Sequence, residues 1–490
     1  MRVRGGMLCL GVFCWTASAL AATVSVDPDG GLRKDGARWF PLGIYERPSD
    51  ITRYHEIKRA GFDLVRAIAD RSDLDKIGSL GLLGWVPLGA ESMVHNETEA
   101  LLLHNKISSL RDHPTLAIWE LPDEALWNVW HLRNEAYGKE RAEILDLIVN
   151  GNWDTVHRET LKGLYRNLIA AQSVADPVAV ERTLAELWTT MGKSDRKVST
   201  TLSTVPEEER RLLSALLWGY LQIRVTDSHH PIWQNHAPRN SNELLAEHAC
   251  YCDLIGCDIY PYPGEMPQGH SDLAVQSLAS VGAYTERFAR LAPDKGILMV
   301  LQAFGWRYLH PIDEAFKETI KGRCPTYIAS RFMAYDSIAR GANALCYWGS
   351  EYADPEKETW KGLAPVIREL ASLREWFAEP EVHLPVRVTP TDSWGSQDLP
   401  VVMTARRIGN DWLILFVNEE TWPRTVHVEF PLQFGGRKLY FLYENLYVEP
   451  ASDSVIPLSF APQGVRVLST RNDLEVEELK GLNRLFEEPF

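Results

Sequence analysis

The stretch His113-Pro-Thr-Leu-Ala-Ile-Trp-Glu-Leu-Pro-Asp-Glu-Ala-Leu-Trp127 decides how this chain is read. Leu116-Ala-Ile-Trp119 is a short apolar run of the kind that forms a strand buried on both faces. Leu121-Pro122 breaks it, since proline offers no N–H to a sheet ladder. Two adjacent carboxyls, Asp123 and Glu124, follow, with Trp119 and Trp127 on either side. A strand that ends in acids beside flat aromatic surfaces suits glycoside hydrolysis. One carboxyl must protonate the leaving oxygen, and a partly apolar setting raises its pKa for that task. The competing reading is local: Asp123 caps a helix beginning near Ala125, and Glu124 is a solvated first-turn residue.

Seven more apolar runs flank this one. Phe40-Pro-Leu-Gly-Ile-Tyr45, Phe62-Asp-Leu-Val-Arg66 and Gly84-Trp-Val-Pro-Leu88 precede it. Pro231-Ile-Trp-Gln-Asn235, Leu254-Ile-Gly-Cys-Asp-Ile-Tyr260, Ile297-Leu-Met-Val-Leu-Gln302 and Ala344-Leu-Cys-Tyr-Trp348 follow. Amphipathic helical stretches lie between, such as residues 49–60, 283–291 and 325–340. Alternation of buried strands with helices predicts a parallel α/β fold, and eight such units predict a (β/α)8 TIM barrel spanning residues 22–376. An open doubly wound sheet is the alternative. No glycine-rich phosphate loop follows any run, which disfavours it and leaves no cofactor to be expected.

The spacing is interrupted at about residues 125–228, where Leu161, Leu164, Tyr165 and Leu168, then Leu212, Leu213, Leu216, Leu217 and Tyr220, recur with helical period. This predicts a helical insertion on the fourth βα loop, opening onto the catalytic face of a barrel or thickening its outer layer. After Trp376 the period becomes two: residues 401–408, a Gly409-Asn410 turn, 412–418, 425–430, 438–443, 455–460 and 464–469 read as an antiparallel β-sandwich over 377–470. The acidic tail, 471–490, is expected to be a peripheral helix or disordered. Asn96-Glu-Thr98 matches a glycosylation sequon, a three-residue pattern of low specificity.

Arg2 and Arg4, an apolar core from Met7 to Trp15 and the small-x-small site Ala19-Leu-Ala21 make residues 1–21 a secretory signal peptide, so the chain is expected to be secreted or periplasmic. No later run approaches about 18 apolar residues, so no membrane insertion is expected. The formal charge is −15, and loss of the signal removes two bases and no acid. That balance argues against nucleic acid as a partner and fits a neutral carbohydrate. Cys250, Cys252, Cys257, Cys324 and Cys346 remain, an odd set without disulfide or zinc spacing.

In a barrel the chemistry sits where strands end. Those positions hold Glu46, Arg66, Glu91, the Asp123–Glu124 pair, Asn235 with His236, Asp258 with Tyr260, Gln302 with Trp306, and Trp348 with Glu351. The ring is polar, acidic and aromatic. Carboxylates and amides bond hydroxyls, and Trp and Tyr faces cover the C–H side of a pyranose.

Phe40-Pro-Leu-Gly-Ile-Tyr45, the His113–Glu124 segment, Asp253-Leu-Ile-Gly-Cys-Asp-Ile-Tyr-Pro261 and Gly341-Ala-Asn-Ala-Leu-Cys-Tyr-Trp348 resemble a clan A glycoside hydrolase, the TIM-barrel superfamily of β-galactosidases, β-mannanases and cellulases. The resemblance covers most of residues 35–375 and implies a glycosidase with Glu124 as acid/base. It also implies an Asn before that Glu and a nucleophilic Glu ending the seventh strand; this chain has Asp123 and Gln302 there, and an amide is no nucleophile. Glu351 is the first choice for the second carboxylate, with Asp258 and Glu46 as substitutes. The adjacent Asp123-Glu124 pair also resembles substrate-assisted hexosaminidases, which need no protein nucleophile. Two other classes compete: a non-catalytic carbohydrate-binding barrel, and a metal-dependent hydrolase using Asp227-Ser-His-His230 with His236 and Asp258.

Overall fold

The computed structural model describes residues 24–134, 138–173, 176–196, 204–263, 277–308, 323–352, 357–391, 401–431, 434, 436–450 and 455–480. The expected signal peptide, residues 1–21, lies outside them, as do the last ten tail residues.

The apolar runs become strands because chemically marked helices separate them. Asp50 accepts from Thr52 N to open α1 (Ile51–Ala60), which Gly61 closes at φ 110°. Asp70 caps α2 (Arg71–Ser79). Asn96 Oδ1 accepts from the amides of Thr98 and Glu99 to open α3 (Glu97–Leu110), so the sequon asparagine is a helix cap. Ahead of all these, β1 (Val24–Val26), β2 (Leu32–Lys34) and β3 (Ala37–Trp39) form a small antiparallel sheet. Val24, Leu32 and Trp39 join the barrel's interior cluster, and the Gly30 turn sits against Lys295 where a barrel strand begins. This sheet plugs the bottom of the barrel.

The eight runs form β4 (Leu42–Ile44), β5 (Leu64–Arg66), β6 (Leu83–Pro87), β7 (Leu116–Glu120), β8 (Ile232–His236), β9 (Leu254–Ile259), β10 (Gly296–Gln302) and β11 (Ala344–Trp348). They close as a parallel barrel in the order β10-β11-β4-β5-β6-β7-β8-β9. Trp85, Ile118, Trp233, Leu298 and Val300 fill its interior, while Ile44, Val65, Trp119, Ile255 and Leu301 face the helix layer. The TIM barrel is the fold.

The insertion comprises α4 (Ala125–Asn134), α5 (Gly138–Asn150), α6 (Thr155–Ser173), α7 (Pro177–Thr190) and α8 (Val205–Thr226). It has two parts. α8 lies along α3, and Gly219 lets it pass close to the turn at Gly89–Ser92 that precedes α3, because a Cβ there would clash with Ser92 O. α5–α7 build a separate core from Ile144, Leu161, Leu168, Leu184 and Trp188. After β8 come α9 (Asn242–Ala249) and α10 (Ser280–Leu291).

The C-terminal sandwich pairs β12 (Arg387–Pro390), β15 (Arg424–Glu429) and β18 (Val455–Phe460) in one sheet. β13 (Val401–Ile408), β14 (Asp411–Asn418), β16 (Leu439–Phe441), β17 (Leu446–Val448) and β19 (Val465–Ser469) form the other. Leu413, Leu415 and Val417 of β14 turn to the barrel's outer core, whereas Ile414 and Phe416 turn into the sandwich. The helix Tyr327–Ala339 is therefore buried almost all round. The tail differs from its acidic appearance: Leu474, Val476 and Leu479, spaced between the charges, pack residues 471–480 onto the barrel's outer core. No helix among the described residues is long and apolar enough to cross a membrane.

Candidate active site

Glu124 ends the βα loop after β7 and is held at φ 47°. A long side chain in the left-handed region is an outlier costing on the order of 1–3 kcal/mol, tolerated where the surroundings enforce it. Here the Glu124 amide donates to Asn235 O across to β8 at 3.2 Å, and its carbonyl accepts from Asn128 N to start α4. The bend delivers the Glu124 carboxyl to the barrel mouth, where it hydrogen-bonds the Asp258 carboxyl. Burial, then the neighbouring Asp123, raise Glu124 to about 7. Burial raises Asp258 well above the usual range, with the Glu124 and Asp123 charges adding to it. The two acids titrate as a pair.

Asn235 organises this group. Its Nδ2 donates to Asp123 Oδ1 at 2.8 Å and lies 3.4 Å from Asp258 Oδ1. Asp123 is thus turned toward β8 and bonded by Asn235, rather than simply capping α4. Crowding by protein raises its carboxyl, although the residue stays open to solvent at the mouth, which weakens that effect. Tyr260 bonds Asp258 from the far side. Arg239 stands close enough to Glu124 to oppose its rise, and lies over the Trp127 ring at 5.4 Å.

Sequence reasoning missed Glu120. It ends β7, pointing inward like Ile118 two residues earlier, and is almost wholly buried. Tyr45 Oη bonds one carboxyl oxygen at 3.1 Å and Trp85 Nε1 the other at 3.0 Å. Burial, then Asp123, push it up to about 8, so it is a neutral acid on the floor of the site at pH 7. The signal was available: a Glu at an inward-facing strand position. Exposed Arg66 stands among Glu120, Asp123 and Glu351 and tempers the rise of each.

Gln302 does not present its amide to the mouth. Its Oε1 accepts from Tyr262 N at 2.9 Å and its Nε2 donates to Phe304 O at 3.0 Å, with Tyr262 O at 3.3 Å. It clamps the β9 loop to the β10 loop, aided by Trp306 Nε1 on Tyr262 O. An aromatic wall stands above: Tyr260 stacks on Trp348 at 5.3 Å, and Phe304 meets Tyr260, Trp306, Trp348 and Tyr352 edge-on. Gly349, at φ 94°, lets Phe304 sit there, since a Cβ would fall 2.5 Å from that ring.

The remaining ring residues separate by environment. Glu46 is locked: Arg53 bonds both its oxygens at 2.8 Å and Ser350 adds 2.9 Å. Glu351 is exposed at the rim, its carboxyl raised by burial of that group and by Glu46. Glu91 pairs with Lys106 away from the mouth. His236 turns outward, its ring against Phe288 and His248, and burial lowers it well below the usual range. The metal-ligand set envisaged from sequence is not brought together. Asp227 and His230 bond each other before β8 begins, while His236 and Asp258 lie at the ends of β8 and β9. A five-residue strand keeps the two groups about 13 Å or more apart. Among the described residues no cluster of His, Cys, Asp and Glu has metal-holding geometry.

No protein-family model matches the sequence, and no curated protein matches it. Solved structures similar to this chain include a β-galactosidase from Bacillus circulans sp. alkalophilus, 9% identical, covering 89% of this chain and 99% of its own at TM-score 0.49. A GH30 endoxylanase from Clostridium papyrosolvens C71 is 10% identical, covers 91% and 99%, and scores 0.42. A β-glucuronidase from Bacteroides uniformis is 10% identical, covers 91% and 46%, and scores 0.38.

Proposed function

We propose that this chain is a glycoside hydrolase, exported after loss of residues 1–21, with Glu124 as general acid. One observation carries the reading: Glu124 is forced to positive φ at the barrel mouth and holds a proton to about pH 7 between Asp123 and Asp258. An acid poised there protonates a glycosidic oxygen at neutral pH and leaves as a base for the attacking water. Asp258 cannot be its partner across the scissile bond. Two carboxyls in hydrogen-bond contact are closer than the ~5–5.5 Å of retaining enzymes or the ~6.5–9.5 Å of inverting ones. With Glu46 held by Arg53 and Glu120 neutral, Glu351 serves as the second carboxylate. The Trp348–Tyr260 stack offers an aromatic surface to the ring.

One observation favours a second mechanism. Asp123 is fixed by Asn235 beside Glu124 and remains open to solvent, as required to steady a substrate acetamido group. Hydrolysis of aryl glycosides and polysaccharides, N-acetylated sugars included, decides the matter. The Glu124→Gln protein should lose turnover with or without chelator; activity surviving that substitution would remove Glu124 from the chemistry. Glu351→Gln abolishes cleavage in the first mechanism and leaves it in the second. A wild-type protein that binds glycans and cleaves none would be a carbohydrate-binding barrel instead.

A further inference from the structure

Where the sandwich meets the barrel, one acid from each is in contact with the other. Asp336 belongs to the helix Tyr327–Ala339 and is itself fully buried. Glu419 directly follows β14, in a turn built within the sandwich: Asn418 Nδ2 donates to Trp422 O and Ala461 O, and Asn418 Oδ1 accepts the Glu420 amide. The contact therefore ties the two parts together through one side chain from each.

The surrounding charges decide which acid carries a proton. Arg340, four residues past Asp336, gives two nitrogens to the two Glu419 oxygens at 2.9 and 2.7 Å, so Glu419 is the anion. Its third nitrogen reaches Glu286 of α10 at 3.1 Å, and Arg290 holds the other Glu286 oxygen. On Asp336, Oδ2 accepts the Gly282 amide at 2.8 Å, while Oδ1 is buried and meets no N–H donor among the described residues. A carboxyl oxygen placed so against a carboxylate is satisfied by carrying the proton and donating it to Glu419. Loss of that proton sets three carboxylates, Asp336, Glu419 and Glu286, against two guanidiniums, with the new charge the most deeply buried. The same helix shows a junction contact of the other kind. Arg331 pairs with Glu369 at 2.8 Å and donates to Val465 O of the sandwich at 3.0 Å, a matched pair that needs no added proton.

We propose that the Asp336–Glu419 contact is a proton-dependent latch between barrel and sandwich, fastened while Asp336 is protonated and released as pH rises. Burial, then the Glu419 charge, hold the Asp336 carboxyl well above its usual range. Below about 3.8 the unfolded chain is protonated too, and the latch contributes in full. Above that, the unfolded chain gives up a proton that the folded chain keeps, so stability falls with pH until the folded carboxyl ionises. The latch is independent of the glycosidase reading, since both acids lie at the sandwich junction.

Denaturant unfolding of the full chain from pH 5 to pH 9 tests this against Asp336→Asn, which keeps the side chain's size and a donor toward Glu419. The wild-type unfolding constant should rise by up to about tenfold per pH unit relative to the variant, the mark of one extra proton held in the folded state. Acids elsewhere, Glu124 included, titrate alike in both proteins and cancel in the ratio. In Glu419→Gln the neighbouring charge is gone, so the rise should level off at lower pH. Circular dichroism verifies that both variants fold. Hydrogen exchange locates the change: at pH 9 the helix Tyr327–Ala339 and β14 should exchange faster in wild type than in Asp336→Asn, and equally at pH 5. Parallel unfolding profiles for wild type and Asp336→Asn overturn the latch, because Asp336 then gains no proton on folding. A rising ratio with exchange at the junction unchanged also overturns it, leaving a buried acid that lowers stability without loosening the contact.

Discussion

Among the described residues two pairs of carboxyls touch, and they have opposite fates. Glu124 meets Asp258 at the barrel mouth; Asp336 meets Glu419 where the barrel's buried helix abuts the sandwich. Burial is the largest cause of the rise in Asp258 and Asp336 alike. The interface pair is sealed. Arg340 grips both Glu419 oxygens at 2.9 and 2.7 Å, and the Gly282 amide donates to Asp336 at 2.8 Å. Gly282 is required, because a Cβ would lie 2.4 Å from that carboxyl. At the mouth no cation grips Glu124 in this two-pronged way among the described residues, and Asp123 beside it is exposed. Burial raises an acid's pKa in either place; only an open approach and an uncommitted proton make it useful for chemistry.

The largest break in this comparison is Glu124→Gln, which should lower kcat/KM by about 10²–10⁴ on any substrate the wild type cleaves. Arg340→Leu comes next. It leaves Glu419 and Asp336 without their cation and should cost about 2 kcal/mol by denaturant unfolding, with kcat/KM unchanged. Asp258 sharpens the contrast. In its neutral form it donates to ionised Glu124 and holds that pKa down. Asp258→Leu should therefore move the alkaline limb of the rate profile above about pH 7 by roughly half a unit or more, whereas Asp258→Asn keeps a donor and the limb in place. The smallest effect concerns stability. An acid raised from 4.5 to about 7 in the folded state makes folding less favourable as pH climbs through that window. Glu124→Gln should accordingly be more stable relative to wild type at pH 8 than at pH 5, as read by denaturant unfolding at the two pH values.

How much of this was legible follows from which contacts are local. All eight barrel strands are visible as apolar runs, because a strand buried on both faces writes its own signature. The helix caps at Asp50, Asp70 and Asn96 are equally local. β1–β3 were invisible, since Val24–Val26, Leu32–Lys34 and Ala37–Trp39 mix apolar with polar or charged residues and leave no apolar run to detect. Asp123 and Glu124 were legible as a pair, but the Asp258 contact joins residues far apart in sequence. Glu120 was lost because the apolar run was read as ending at Trp119, although the ladder carries one residue further. Gln302 was read as a substrate-facing amide, and nothing in its own segment announces the Tyr262 backbone it clamps.

The insertion's attachment has a consequence for how this scaffold changes over generations. It departs at Glu124, beyond the end of β7, and returns along α8 to the start of β8, the parallel strand that pairs with β7. α5–α7 carry their own core and behave as a cassette. Such a piece can be exchanged, enlarged or trimmed without shifting the register of any barrel strand. The acid is anchored by Asn235 and Asp258, outside the exchangeable part. Exchange of that block would leave the contacts of Asp123 and Glu124 with Asn235 and Asp258 in place.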